Sequence, residues 1–105
     1  MSIYKLFYIT CKNKNEASKI SLSLIKEDLA ACANILPPVQ SYFKWNKQTQ
    51  STREVIVIGK TLKKKMSKII MKVKEKHSYD CPGIVFIDIK NGNKDFLNWI
   101  KNSLK

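Results

Sequence analysis

Arginine, glycine and long apolar runs are what this sequence has least of. Of its 20 basic residues only Arg53 is an arginine. Arginine reads guanine and grips phosphate through two parallel hydrogen bonds, so its scarcity weighs against specific nucleic-acid binding. Three glycines in 105 residues leave no glycine-rich phosphate loop. With one histidine, no Gly-x-Ser-x-Gly and no Cys-x-x-Cys, a nucleophile, a base and an orienting group cannot be named together, and no enzymatic activity is expected. The longest apolar runs, such as Ile84-Val85-Phe86-Ile87, fall far short of the roughly 20 residues of a membrane span, so no membrane partner is expected. Met1-Ser2-Ile3-Tyr4-Lys5 offers no extended apolar stretch with a small-residue cleavage site, so no secretory signal is expected. Three cysteines, separated by 21 and 49 positions, do not form a disulfide framework. These absences describe a reduced, cytoplasmic, soluble protein.

What is present is ordinary globular material. Apolar residues make up 44% and charged residues 27% of a 12.1 kDa chain, enough for one domain spanning residues 1–105 and too little for two. The net charge of +12 invites a nucleic-acid partner. However, 19 lysines come with 13 isoleucines and 8 asparagines, the joint excess that A+T-rich codons produce. Lysine-covered solvated surface is the simpler reading. The run Lys63-Lys64-Lys65 and the i, i+4 series Lys64, Lys68 and Lys72 fit one exposed helix face.

Hydrophobic periodicity gives the element order. Ile3 to Cys11 reads as a strand. Asn13 followed by Glu16 has capping-box spacing, and Ala17, Ile20 and Leu24, joined by Ile25 and Leu29, predict a helix to about Cys32, itself expected in the core. Ala33 to Trp45 predicts one strand broken at Pro37-Pro38, which suits an edge or a bulge. Asn46 to Ser51 predicts a hairpin loop, and Arg53 to Lys60 the next strand. Thr61 can cap a second helix carrying Leu62, Met66, Ile69, Ile70 and Val73. His77 to Gly83 is a linker, Ile84 to Ile89 a last strand, and Phe96, Leu97, Ile100 and Leu104 line a short C-terminal helix. The order β-α-β-β-α-β predicts an α+β, ferredoxin-like fold: a four-stranded antiparallel sheet with both main helices on one face.

The strands are apolar on both faces. Phe7, Ile9 and Cys11 oppose Tyr4, Leu6 and Tyr8. Val55 and Val57 oppose Ile56 and Ile58, and Val85 and Ile87 oppose Ile84 and Phe86. A sheet with one solvated face alternates apolar with polar, so the second face is expected to be covered. The short terminal helix is too small to cover it, and self-association is the expected cover.

Glu27-Asp28-Leu29-Ala30-Ala31-Cys32-Ala33-Asn34-Ile35, then Ser41-Tyr42-Phe43-Lys44-Trp45-Asn46-Lys47, Glu54, Lys60-Thr61, His77 with Tyr79, Pro82 and Leu97-x-Trp99-Ile100 together resemble the CutA family of divalent-cation-tolerance proteins. The resemblance runs from about Phe7 to Leu104. It implies a ferredoxin-like homotrimer without established enzymatic activity, no required cofactor, and roles in divalent-metal tolerance and copper binding. A signalling role like that of the trimeric PII proteins, sensing a small ligand, is the alternative it implies. The family's copper site uses a Cys at the end of the first strand, a linker His and a Glu after the Pro. Cys11 matches the first. The usual His position is Lys76 here, with His77 beside it, and Gly83 stands where the Glu would be.

The candidate metal ligands are therefore Cys11, His77 and Cys81, a sulfur and imidazole set suited to copper or zinc. Tyr42, Trp45, Lys60, Tyr79 and Trp99 match residues that line an intersubunit cleft in the family. They would form an anion or small-ligand pocket there, or simply pack the trimer contacts.

Overall fold

The computed structural model describes residues 2–105. Its elements are β1 (Tyr4–Cys11), α1 (Lys14–Lys26), β2 (Cys32–Ile35), β3 (Val39–Trp45), β4 (Gln48–Leu62), a 3-10 turn (Lys63–Lys65), α2 (Met66–Lys76), β5 (Ile84–Asp88) and α3 (Lys94–Ser103). The strands run β2-β4-β1-β5, every neighbour antiparallel, with β3 also paired to β4. This is the ferredoxin-like split βαβ arrangement expected from the sequence. Among the described residues no helix is long and apolar enough to cross a membrane.

Alternation along β1 sends Phe7, Ile9 and Cys11 toward the helices, where they pack with Ala17, Ile20 and Leu24 of α1, Ile69 and Val73 of α2, and Val55 and Val57 of β4. All twelve residues of this core cluster are at most 5% exposed. A second cluster joins Leu62 to Ile100 of α3 and to Leu104 just after it, with Tyr4 packed against it. Thus α3 covers one end of the opposite sheet face. The rest of that face keeps Val85 53% and Ile87 54% exposed, paired across the ladder with Tyr8 and Leu6.

Among the described residues the strands number five rather than four. The predicted Ala33–Trp45 strand splits at the prolines into β2 and β3. Cys32–Ile35 pair with Lys60–Val57, and Val39–Trp45 pair with Glu54–Gln48. Leu36, Pro37 and Pro38 thereby face only Ile56 and Val55, a bulge of one extra residue at a place where proline removes a ladder donor. The predicted hairpin loop shrinks to Asn46 and Lys47, both at positive φ (51° and 64°). Two such residues are what a tight type I′ connection needs, so Gln48–Ser51 remain in β4.

Other boundaries differ for local reasons. α1 stops at Lys26, because Asp28 takes a left-handed φ of 57° and Leu29 and Ala30 both donate to the Leu24 carbonyl. Cys32 therefore starts β2, half-buried, outside the core cluster. Thr61 is no helix cap. It lies buried in β4 and its hydroxyl donates to the Leu29 carbonyl at 2.6 Å. The buried Lys5 is paired with Asp88 directly across the ladder, which holds the Asp88 carboxyl below its usual range.

Candidate functional site

At the end of β1 the chain enters α1 through a cap. Asn13 is the N-cap, and its Oδ1 accepts the Glu16 N–H at 2.9 Å. The Glu16 carboxylate reaches back to the Lys12 N–H at 2.7 Å rather than to that of Asn13. Its other oxygen accepts the Ser78 N–H at 2.7 Å from the linker after α2. The capping signal in the sequence thus also ties α1 to that linker.

His77 occupies the same corner, its imidazole fully buried. Its Nδ1 accepts the Tyr79 N–H at 3.0 Å, and Nε2 lies 2.7 Å from the Thr10 carbonyl oxygen. An amide N–H can only donate, and a carbonyl can only accept. Nε2 therefore carries the proton and Nδ1 the lone pair. The Tyr79 hydroxyl donates to the buried Glu54 at 2.8 Å, and burial followed by that carboxylate pushes the phenol well above its usual range.

Cys11, Glu16 and His77 converge: one donor atom from each lies within 4.8 Å of the others. Cys11 is fully buried. Burial first, then the negative charges of Glu16 and Glu54, push its thiol up to about 12. Burial also acts to raise the Glu16 carboxyl, but the hydrogen bonds from Ser78 and Lys12 outweigh it and hold the group below its ordinary range.

Of the expected ligands, Cys11 and His77 are brought together, whereas Cys81 is exposed and lies outside the cluster. Glu16 was visible in the sequence only as a cap. The aromatic and lysine set occupies four separate places in one chain. Tyr42 and Trp45 are exposed on β3, Lys60 on β4 approaches Asn34 Oδ1 at 3.5 Å, Tyr79 belongs to the corner just described, and Trp99 stacks on Phe96 of α3 at 5.5 Å. Two surface grooves, of about 500 and 320 Å3, lie among lysines of α1 and α2 and include none of these residues.

The profile of a family described as "CutA1 divalent ion tolerance protein" matches residues 5–103. The chain belongs to the CutA1 family. A divalent-cation tolerance protein CutA from Archaeoglobus fulgidus is 36% identical over 103 residues, covering 98% of this chain and all of that protein. A chloroplastic CutA 1 from rice is 37% identical over 98 residues, 93% of this chain but 55% of that protein. The chain spans about half the length of the rice and Arabidopsis relatives. A Thermus thermophilus CutA1 structure superimposes with a TM-score of 0.95 at 30% identity, covering 97% of this chain and 99% of that one. The Archaeoglobus structure gives 0.93 at 36%, covering 97% and 99%, and is described as periplasmic. The CutA1 description names divalent-ion tolerance and no reaction.

Proposed function

We propose that the chain acts in divalent-ion tolerance as a non-enzymatic, cytoplasmic homotrimer that holds a thiophilic ion, copper(I) first, at the Cys11–His77 corner. The observation that carries this reading is the convergence of thiol, imidazole and carboxylate donors within 4.8 Å. Sulfur, nitrogen and oxygen in one buried corner suit a soft or borderline ion better than magnesium or calcium. The residues fit such an ion by type and spacing, but two of the donors carry protons, on the Cys11 sulfur and on His77 Nε2. An ion would have to displace both, so the expected hold is weak. The free cysteines accord with a reducing compartment.

Self-association is supported by the uncovered sheet face with its exposed Val85 and Ile87. Tyr42 and Trp45 on the β3–β4 arm, with Trp99, offer further apolar surface to a second copy. If these residues meet Lys60 and Tyr79 of neighbouring copies, the resulting cleft suits a small organic anion, and this is the sensing alternative.

Two measurements test the proposal. Sedimentation equilibrium at micromolar concentration should give three times the monomer mass, and a stable monomer overturns it. Copper(I) titration against a competing chelator should show binding that Cys11→Ser abolishes. A salt-insensitive isotherm for an organic anion, without metal binding, would instead select the sensing reading.

A further inference from the structure

We infer that Glu16 supplies the carboxylate of this metal site, a role that a side chain at position 83 is turned away from filling. The inference rests on the metal reading above and adds the identity of the third donor.

Three features of the fold lead to it. First, Glu16 Oε2 lies 3.9 Å from His77 Nε2, and the Cys11, Glu16 and His77 donors all fall within 4.8 Å of one another. Second, the Glu16 carboxylate is already fixed. The Asn13 cap sets the first turn of α1, and the Lys12 and Ser78 N–H groups each hold one oxygen. A carboxylate has about four lone-pair sites, so two remain for a cation. Ordering this donor costs little when the ion arrives.

Third, the sheet geometry separates position 83 from the corner. The ladder that pairs Ile9 with Ile84 continues through the Thr10 N–H to the Gly83 carbonyl at 3.2 Å. A Cβ at position 83 would lie 3.0 Å from Thr10 Oγ1. Thr10 alternates with Ile9 and Cys11, which face the helices. A side chain at 83 therefore leaves the sheet on the face opposite the Cys11 sulfur, whereas Glu16 approaches from the same side.

The experiment compares wild type, Cys11→Ser, Glu16→Gln, Glu16→Asp and Gly83→Glu. Each is titrated with copper(I) against a competing chelator, and with cobalt(II) to follow the sulfur-to-metal charge-transfer band. Far-UV circular dichroism melts establish that each variant is folded at the titration temperature. Glu16→Gln should weaken binding at least tenfold while keeping the sulfur band. Glu16→Asp, which keeps the charge and covers any loss of fold in the amide variant, should fall between it and wild type. Gly83→Glu should bind like wild type. Wild-type affinity in both Glu16 variants, or tighter binding by Gly83→Glu, overturns the assignment of Glu16 while leaving Cys11 as the anchor. Loss of binding by Cys11→Ser upholds the underlying site. A wild-type protein with no sulfur band brings down both.

Discussion

Glu16 accepts the backbone N–H of Ser78 at 2.7 Å, a bond that joins residues 62 positions apart. It fastens the first turn of α1 to the linker after α2, beside the His77 imidazole. Glu16→Gln should cost about 1–2 kcal/mol at neutral pH, in the range of a lost charge-assisted hydrogen bond. The pH dependence follows from the sign of the shift. The folded carboxyl titrates below its unfolded value of about 4.3, so its contribution is complete above that value. The contribution is lost as pH falls through the depressed folded pKa. Urea unfolding of both proteins at pH 7 and pH 3 should show the gap between them shrinking at the lower pH. A gap that widens on acidification contradicts the account.

The cysteines should separate by reactivity. With its thiol pushed up to about 12, Cys11 is on the order of one part in ten thousand thiolate at pH 8, and it is fully buried. Cys81 is exposed. Iodoacetamide followed by peptide mass mapping should find Cys81 modified first and Cys11 unmodified in the folded protein. Early labelling of Cys11 would mean that the corner opens readily.

Lys47→Gly should stabilise the β3–β4 hairpin. Lys47 holds φ at 64°, a region that costs a residue with a Cβ about 1 kcal/mol and glycine almost nothing. Thermal unfolding should show a midpoint a few degrees higher. An unchanged or lower midpoint would place the cost elsewhere in the turn.

Gly59→Ala should do the opposite. A Cβ there would come within 2.0 Å of the Phe7 ring and 2.5 Å of the Cys32 carbonyl oxygen. Phe7 is fully buried and cannot swing aside, so β4 would have to shift against its neighbours. A loss of about 2–3 kcal/mol or failure to fold is expected, read from urea unfolding and soluble yield. Wild-type stability would show that this part of the sheet is looser than its packing implies.

The helices and most strands were legible from their apolar period, supported in α1 by the cap at Asn13 and Glu16. The stretch from Glu27 to Cys32 was not. A helix period continues through Leu29, but Asp28 turns left-handed and Thr61, 32 residues away in β4, captures the Leu29 carbonyl. The loop at Asn46 was drawn too long because Gln48 to Ser51 are polar, and polar side chains on an exposed two-stranded arm look like loop. The candidate site was half legible. Cys11 and His77 could be picked out by type. Their partner Glu16 was hidden behind its capping role, and Cys81, picked out by the same reasoning from type, is exposed and outside the cluster.

The bulge at Pro37-Pro38 also reconciles two ladders that are out of step by one residue. In β2 the even-numbered residues Cys32 and Asn34 share a side with Lys60 and Ile58, whereas in β3 the odd-numbered Val39, Ser41, Phe43 and Trp45 oppose Glu54, Thr52, Gln50 and Gln48. The extra residue absorbs the change of parity, and the hairpin pairing places Phe43 and Trp45 on the side of β4 that carries Ile56 and Ile58. Removing one residue from the segment 36–38 would leave two residues facing Ile56 and Val55 and close the bulge, because the turn at Asn46-Lys47 holds β3 in register with β4. A single deletion here should therefore be tolerated better than a double one, and in either case Phe43 and Trp45 keep the side set by their pairing with Gln50 and Gln48.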